Sequence, residues 1–247
     1  MFHEATTSRT SAAALYLIPA SLGDAPTEWT LPPRVKELVA QLDYFIVERA
    51  KTARAELKRL GHPKPVRTLV IRELSERPTE SDLDGLLAPL RSGQSAGLMS
   101  EAGCPGIADP GSLIVRRAHE AGLRVAPLIG PSSILLALMA SGLNGQRFTF
   151  HGYLPVGRED LRRRILALEQ HSRESDCTQI FIETPYRNEA LFKALVATVG
   201  SATLLCVATN LTLASERIDT RTAAQWRRSG SPSIAGQPTV FLLLASR

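Results

Sequence analysis

Apolar positions along the chain switch repeatedly between two spacings, and the switches predict its elements. Ala12–Ile18, Asp43–Val47, Val66–Ile71, Ala96–Met99 and Leu123–Ile129 are short apolar runs bounded by turn residues. That is the pattern of strands covered on both faces. Between them the spacing turns helical. Trp29–Leu42 puts Leu31, Val35, Leu38 and Leu42 on one face, and Thr52–Leu60 is a basic amphipathic helix stopped by Gly61. Thr79–Arg91 is ended by Gly93, and a helix carrying Ile114, Ala118 and Ala121 is ended by Gly122. Asp109 can cap that helix, with Pro110 at its first position, where no N–H is needed. Gly130-Pro131-Ser132-Ser133 opens a further helix that Gly142 ends. Strands alternating with helices predict an α/β fold with a doubly wound, mostly parallel sheet.

Asn144-Gly145 breaks the chain, and the pattern restarts at Phe148–Tyr153. This sets a boundary between an N-terminal α/β domain, residues 12–147, and a C-terminal one, residues 148–247. The second is a smaller mixed-sheet α/β unit. It has helices from Arg158 to about His171, over Asn188–Val199 and over Arg221–Arg228, and strands at Gln179–Glu183, Ala202–Thr209 and Thr239–Ala245. Residues 1–11 are polar and lack the apolar core of a signal peptide, and are expected to form a disordered leader.

Composition narrows the partners. The 247 residues are 44% hydrophobic and 21% charged, as in ordinary soluble globular proteins. The formal net charge of +5 favours an acidic partner such as RNA. Cys104, Cys177 and Cys206 are far apart and form no CxxC pair, which argues against a zinc site or a disulfide framework and fits a reducing cytoplasm. The five histidines form no HExxH, so no metal ligand set is expected. The longest apolar run, Ile134–Ala140, is too short to cross a bilayer, so no membrane partner is expected.

Candidate chemistry gathers where strands end. After Ala96–Met99 comes a loop holding Gly103, Pro105, Gly106, Pro110 and Gly111, a fixed backbone that a ligand can approach closely. There is no GxGxxG and no GxxxxGK[ST], so dinucleotide and P-loop phosphate binding are not indicated. The loop alone reads equally as a tight turn. A second such loop, at Gly130–Ser133 on the next strand, points to a site at the carboxyl edge of the sheet. Glu48 and Lys51 follow the second strand. Glu48 is either a group that orients or deprotonates a hydroxyl or a carboxylate set at a helix N-terminus, and Lys51 could hold an anion. Glu183-Thr184-Pro185-Tyr186-Arg187 reads either as a polar ligand edge or as a turn with a buried Glu–Arg pair. Arg158, Arg162, Arg163 and Arg164 read as a phosphate contact or a solvated helix face, with Arg158 and Arg162 sharing one side. His151, beside the boundary, reads as structural or as a ligand contact.

The motifs together resemble the tetrapyrrole methylase superfamily of S-adenosylmethionine-dependent methyltransferases, and within it the branch that methylates ribose 2′-hydroxyls of small-subunit ribosomal RNA. The resemblance runs from about Leu15 to Leu244. It rests on Ser100-Glu101-Ala102-Gly103-Cys104-Pro105-Gly106-Ile107-Ala108-Asp109-Pro110-Gly111, similar to the branch's D-A-G-T-P-x-I-x-D-P-G. Gly130-Pro131-Ser132-Ser133, Gly152-Tyr153-Leu154-Pro155 and Glu183-Thr184-Pro185-Tyr186-Arg187 are similar to P-G-P-S/C-A, G-F-L-P and E-S-P-H-R. The resemblance implies two α/β domains with S-adenosylmethionine folded in the cleft between them, and a homodimer. It carries cofactor contacts onto Leu22, Ser100, Ala102, Gly103, Cys104, Ile107, Ser132, Ser133, Tyr153 and Leu154, and also onto Leu211 and Pro238. It implies an RNA substrate, for which Glu48 is the candidate to orient the acceptor hydroxyl and Lys51 and Arg187 the candidates to hold phosphate.

Departures from the branch fall on polar positions. Ser21-Leu22-Gly23-Asp24 stands for P-I-G-N, Glu48-Arg49-Ala50-Lys51 for E-D-T-R, and Thr209-Asn210-Leu211-Thr212-Leu213 for R-E-L-T-K. Ala235-Gly236-Gln237 replaces K-G-E, and Arg72-Glu73-Leu74-Ser75 has no counterpart of H-x-x-N. Three readings stay open: an RNA ribose methyltransferase, an enzyme of the same fold acting on a small acceptor such as a tetrapyrrole, and a catalytically degenerate S-adenosylmethionine- or RNA-binding paralogue.

Overall fold

The computed structural model describes residues 13–246. The expected leader and the start of the first expected strand, Ala12, lie outside the described residues. The chain divides into two compact units, each with its own five-stranded sheet.

The first unit spans residues up to Ser21 and Pro26–Pro131. Its strands are β1 (Ala14–Leu17), β2 (Tyr44–Val47), β3 (Val70–Glu73), β4 (Ala96–Met99) and β5 (Arg124–Pro127). They lie in the order β3-β2-β4-β1-β5, all parallel. The helices are α1 (Thr27–Thr30), α2 (Pro33–Val39), α3 (Ala50–Arg59), α4 (Glu80–Arg91) and α5 (Gly111–Glu120). Alternate residues of each central strand face opposite layers. Tyr44, Ile46 and Leu98 meet Leu83, Leu87 and Ile114 of α4 and α5. Phe45, Val47 and Met99 meet Val35, Val39 and Leu57 of α2 and α3. Both faces are therefore buried, which explains why these strands read as continuous apolar runs. The doubly wound sheet predicted from the pattern is the sheet observed.

Two expected elements differ. The helix expected over 29–42 is broken into α1 and α2, because Leu31 is extended before Pro32 and Pro33 starts the second helix. In the segment expected as a strand over 66–71, Val66–Thr68 forms a 3₁₀ turn and pairing begins only at Val70. The cap at α4 is a full capping box, with Thr79 and Asp82 bonded reciprocally.

The second unit contains Leu22–Ala25 and residues 132–246. Its elements are α6 (Ser133–Ser141), β6 (Phe148–Tyr153), α7 (Arg158–Ser175), β7 (Thr178–Ile182), α8 (Asn188–Thr198), β8 (Leu204–Thr209), β9 (Arg217–Thr222), α9 (Ala223–Ser229) and β10 (Thr239–Leu244). The sheet order is β6-β7-β10-β8-β9, parallel between β6 and β7 and antiparallel elsewhere. Phe181, Val207 and Phe241 face α7, α8 and α9. Ile180, Cys206, Val240 and Leu242 face α6, through Ala137 and Leu138. Because α6 buries its apolar side on this sheet, the division falls at Pro131–Ser132 rather than after residue 147. The strand β9 has no apolar alternation to announce it. It is an edge strand, and its Arg217, Asp219 and Arg221 are the charges that edges tolerate. Among the described residues no helix is long and apolar enough to cross a membrane.

Candidate functional site

Parallel strands send all their following loops to one edge of the first sheet. The loop after β4 is held there by its own side chains. Asp109 accepts hydrogen bonds from the amides of Gly106 (2.9 Å) and Gly111 (2.6 Å). Burial pushes its carboxyl above the ordinary range, while those amides pull the other way. Asp109 thus closes the loop, although the capping residue itself is Pro110, which makes no side-chain cap bond. A side chain at Gly111 would collide with Asp109, since its Cβ would lie 2.7 Å from Oδ1. Gly103 has φ +72 and exchanges hydrogen bonds with Ala20 (2.9 and 3.0 Å), which ties this loop to the one after β1. The Ser100 hydroxyl donates to the Ala102 carbonyl (3.2 Å). The Cys104 thiol points to the Pro131 carbonyl (3.4 Å), and burial raises its pKa, so it is a packing group rather than a nucleophile. Ile107 is 48% exposed. The sequence-predicted Ser100, Ala102, Gly103, Cys104 and Ile107 therefore form one braced loop.

Glu48 buttresses the same loop: its Oε2 accepts from the Glu101 amide at 3.0 Å. Its pKa is raised by burial, opposed by that amide, and raised further by the nearby Glu101 and Asp109 carboxylates. Glu101, which the sequence reading passed over, pairs with Arg49 (3.3 Å) and accepts from the Thr52 hydroxyl (3.3 Å). Lys51 stands exposed as the second residue of α3 and joins none of these bonds. Beside them, Arg72, Glu73 and Ser75 line a polar hollow of about 710 Å3, and Glu73 accepts from the Ala50 amide (2.6 Å).

The remaining predicted residues belong to the second unit. Leu22 and Leu211 join one apolar cluster with α6 and β10. Ser132 is the N-cap of α6, its hydroxyl accepting from the Leu135 amide, and Ser133 is the first residue of that helix. The Pro238 carbonyl accepts from the Asn210 amide (3.0 Å), beside Leu211. Thr212 is strained, a β-branched residue at φ +72, and its buried hydroxyl has no partner among the described residues. Tyr153 is exposed at the end of β6, and Leu154 is in the core, so it can offer a ligand little beyond its main chain. Arg187 pairs with buried Glu183 at 3.1 Å, so the pair foreseen in that turn is present. Asn188 is the first residue of α8 rather than its cap, because its side chain donates instead to the Gln237 carbonyl (2.7 Å).

His151 is accounted for structurally. The Gln179 amide donates to the Cys177 carbonyl (2.8 Å), which leaves its oxygen facing His151 Nε2 at 2.7 Å. Nε2 then carries the proton, and Nδ1 accepts from Arg164 at 3.0 Å. Burial lowers its pKa, and the ring is a neutral brace.

The residues fit a cation of mixed polar and apolar character. The loop from Ser100 to Gly111 contains no lysine or arginine, two carboxylates and a run of small residues. In the second unit the unpartnered Thr212 hydroxyl lies next to Leu211.

Solved structures with this fold include the methyltransferase CobJ, with TM-score 0.62 and 19% identity over 96% of this chain and 95% of that one. Diphthine synthase superposes with TM-score 0.63 and 17% identity, covering 94% and 90%. These likenesses show that the present chain shares the α/β fold of both. No protein-family model matches the chain. Curated relatives named ribosomal RNA small subunit methyltransferase I are similar over most of its length. The one from Xylella fastidiosa is 35% identical over 191 residues, which is 76% of this chain and 66% of that protein. The one from Escherichia coli is 32% identical over 208 residues (84% and 68%), and that from Mesorhizobium japonicum 34% over 209 (85% and 67%). The chain belongs to the ribosomal RNA small subunit methyltransferase I family, whose members use S-adenosylmethionine. It spans about two thirds of the length of these relatives.

Proposed function

We propose that this protein transfers a methyl group from S-adenosylmethionine to a ribose 2′-hydroxyl of small-subunit ribosomal RNA. The braced loop after β4 is the observation that carries the methyl-donor half of this reading: its main chain is fixed by Asp109, Glu48 and Ala20. The names of the relatives support the RNA half, and the net positive charge agrees with it.

S-adenosylmethionine supplies a methyl group on a positively charged sulfur, so a loop that carries no lysine or arginine of its own suits it. Ser100, Ala102, Gly103, Cys104 and Ile107, with Leu22, Ser132, Ser133, Tyr153, Leu154, Leu211 and Pro238, are the residues proposed to hold it. Glu48 has one oxygen on the Glu101 amide, and its burial makes it a readier proton acceptor than an ordinary carboxylate. Its role is to orient the ribose hydroxyl and take its proton as the carbon–oxygen bond forms and the carbon–sulfur bond breaks. Lys51 and Arg187 hold phosphate. The reading further takes the protein to be a cytoplasmic homodimer.

The test is incubation with labelled S-adenosylmethionine and small-subunit RNA from cells lacking the protein, with the labelled nucleotide mapped. Label on one ribose is expected. Label absent from RNA, with S-adenosylhomocysteine still bound in calorimetry, would sink the RNA assignment alone.

A further inference from the structure

The arginine cluster at the start of α7 divides into two kinds. Arg163 is paired with Asp160, and Arg164 braces His151. Arg158 and Arg162 have no ion pair or hydrogen bond among the described residues. They lie one turn apart on one side of the helix. Arg158 is the first residue of α7, where the helix dipole disfavours a cation. The position of Arg158 is therefore not explained by helix stability.

Both arginines line a cavity of about 590 Å3 in the second unit, between α7 and α8. Arg187, paired with Glu183, and Lys193, paired with Glu189, contribute from the other side, and no carboxylate lines the cavity itself. The floor is apolar, with Leu161 and Leu191 beneath and Ala190, Ala194 and Ala197 along α8. Those three alanines follow helical spacing, so a flat group can approach the α8 backbone closely. Tyr186, beside Arg187, is 85% exposed, an aromatic face with nothing packed on it. The cavity size falls within the roughly 300–1,000 Å3 of small-molecule sites. Cations around an apolar floor match one chemistry well: phosphates at the rim with an unstacked base laid inside.

We infer that the groove between α7 and α8 is an RNA-holding surface, in which Arg158 and Arg162 grip backbone phosphates of a single-stranded segment over the alanine floor. The inference rests on the RNA reading above, and adds a contact surface apart from the loop after β4. It assigns the two arginines to affinity and to substrate KM.

The test uses the full chain and a fluorescein-labelled single-stranded fragment of small-subunit ribosomal RNA, titrated by anisotropy at several salt concentrations. The double variant Arg158→Ala/Arg162→Ala is compared with wild type. Loss of two phosphate contacts is expected to flatten the slope of log K against log salt by about 1.4, and to weaken binding about tenfold or more at low salt. S-adenosylhomocysteine affinity and the circular dichroism spectrum should be unchanged, which excludes misfolding. Tyr186→Ala should weaken binding without altering the slope. A double variant that keeps wild-type affinity and slope overturns the groove assignment and leaves the RNA reading standing. A wild-type protein that neither binds nor methylates the RNA overturns both.

Discussion

At the scale of single residues, the second half of the donor loop is closed by one carboxylate. Asp109 holds two backbone amides across the six residues 106–111, and no other side chain among those described bonds to either. Asp109→Ala leaves both amides without that partner, at about 1–3 kcal/mol of lost hydrogen bonding. Since residues 106–111 would then have to be ordered on binding, affinity for S-adenosylhomocysteine should fall about tenfold or more in calorimetry, with the circular dichroism spectrum retained. Unchanged affinity would mean that the loop is rigid without Asp109. The position was legible in the sequence as an Asx signal before proline and glycine, though it reads there as a helix cap. Glu101 left no such signal, because its partners Arg49 and Thr52 are about fifty residues away in the chain.

At the scale of elements, close approach of layers sets the demands. Gly97 sits inside β4, where a Cβ would lie 2.4 Å from Ile18 and 2.9 Å from Phe45. Neither neighbour can withdraw, as both are fully buried in the layer that includes α2 and α3. Gly97→Ala should destabilise the protein by about 1–3 kcal/mol, read as a lower midpoint in urea with an unchanged slope. A midpoint equal to wild type would show that the layer yields. The strands were legible because burial on both faces leaves a plain apolar run. The edge strand β9 was not, since its fitness for pairing comes from β8 beside it. The break between α1 and α2 was legible in principle from Pro32-Pro33, and apolar spacing alone overrode that signal.

At the scale of the whole molecule, stability against acid has an identifiable component. Asp84 on α4 is gripped by Arg117 of α5 (2.7 Å) and by Arg91 (2.6 Å). Hydrogen bonds from these guanidiniums lower its pKa from 3.8 to about 2. A carboxyl depressed in the folded state stabilises it above the ordinary value, and the contribution disappears as pH falls from 3.8 toward 2. Asp84→Asn should therefore lower Tm at neutral pH, with the difference from wild type shrinking across that window and with added salt. A difference independent of pH would rule out charge as its source. The division into units was only partly legible. Asn144-Gly145 is a real turn, but the apolar side of α6 belongs to the second sheet, and which sheet claims a helix is a matter of three-dimensional packing.

The sequence by itself determined the alternation of strand and helix, the rigid small-residue loop after β4 and the methyltransferase motifs, because each depends on residues near one another in the chain. Tertiary structure decided which arginines are committed and which are free, which acid braces the donor loop, and that a groove with a basic rim opens between α7 and α8. Apart from the Asp160–Arg163 and Glu183–Arg187 pairs, which are three and four residues apart, those properties depend on partners brought together by folding.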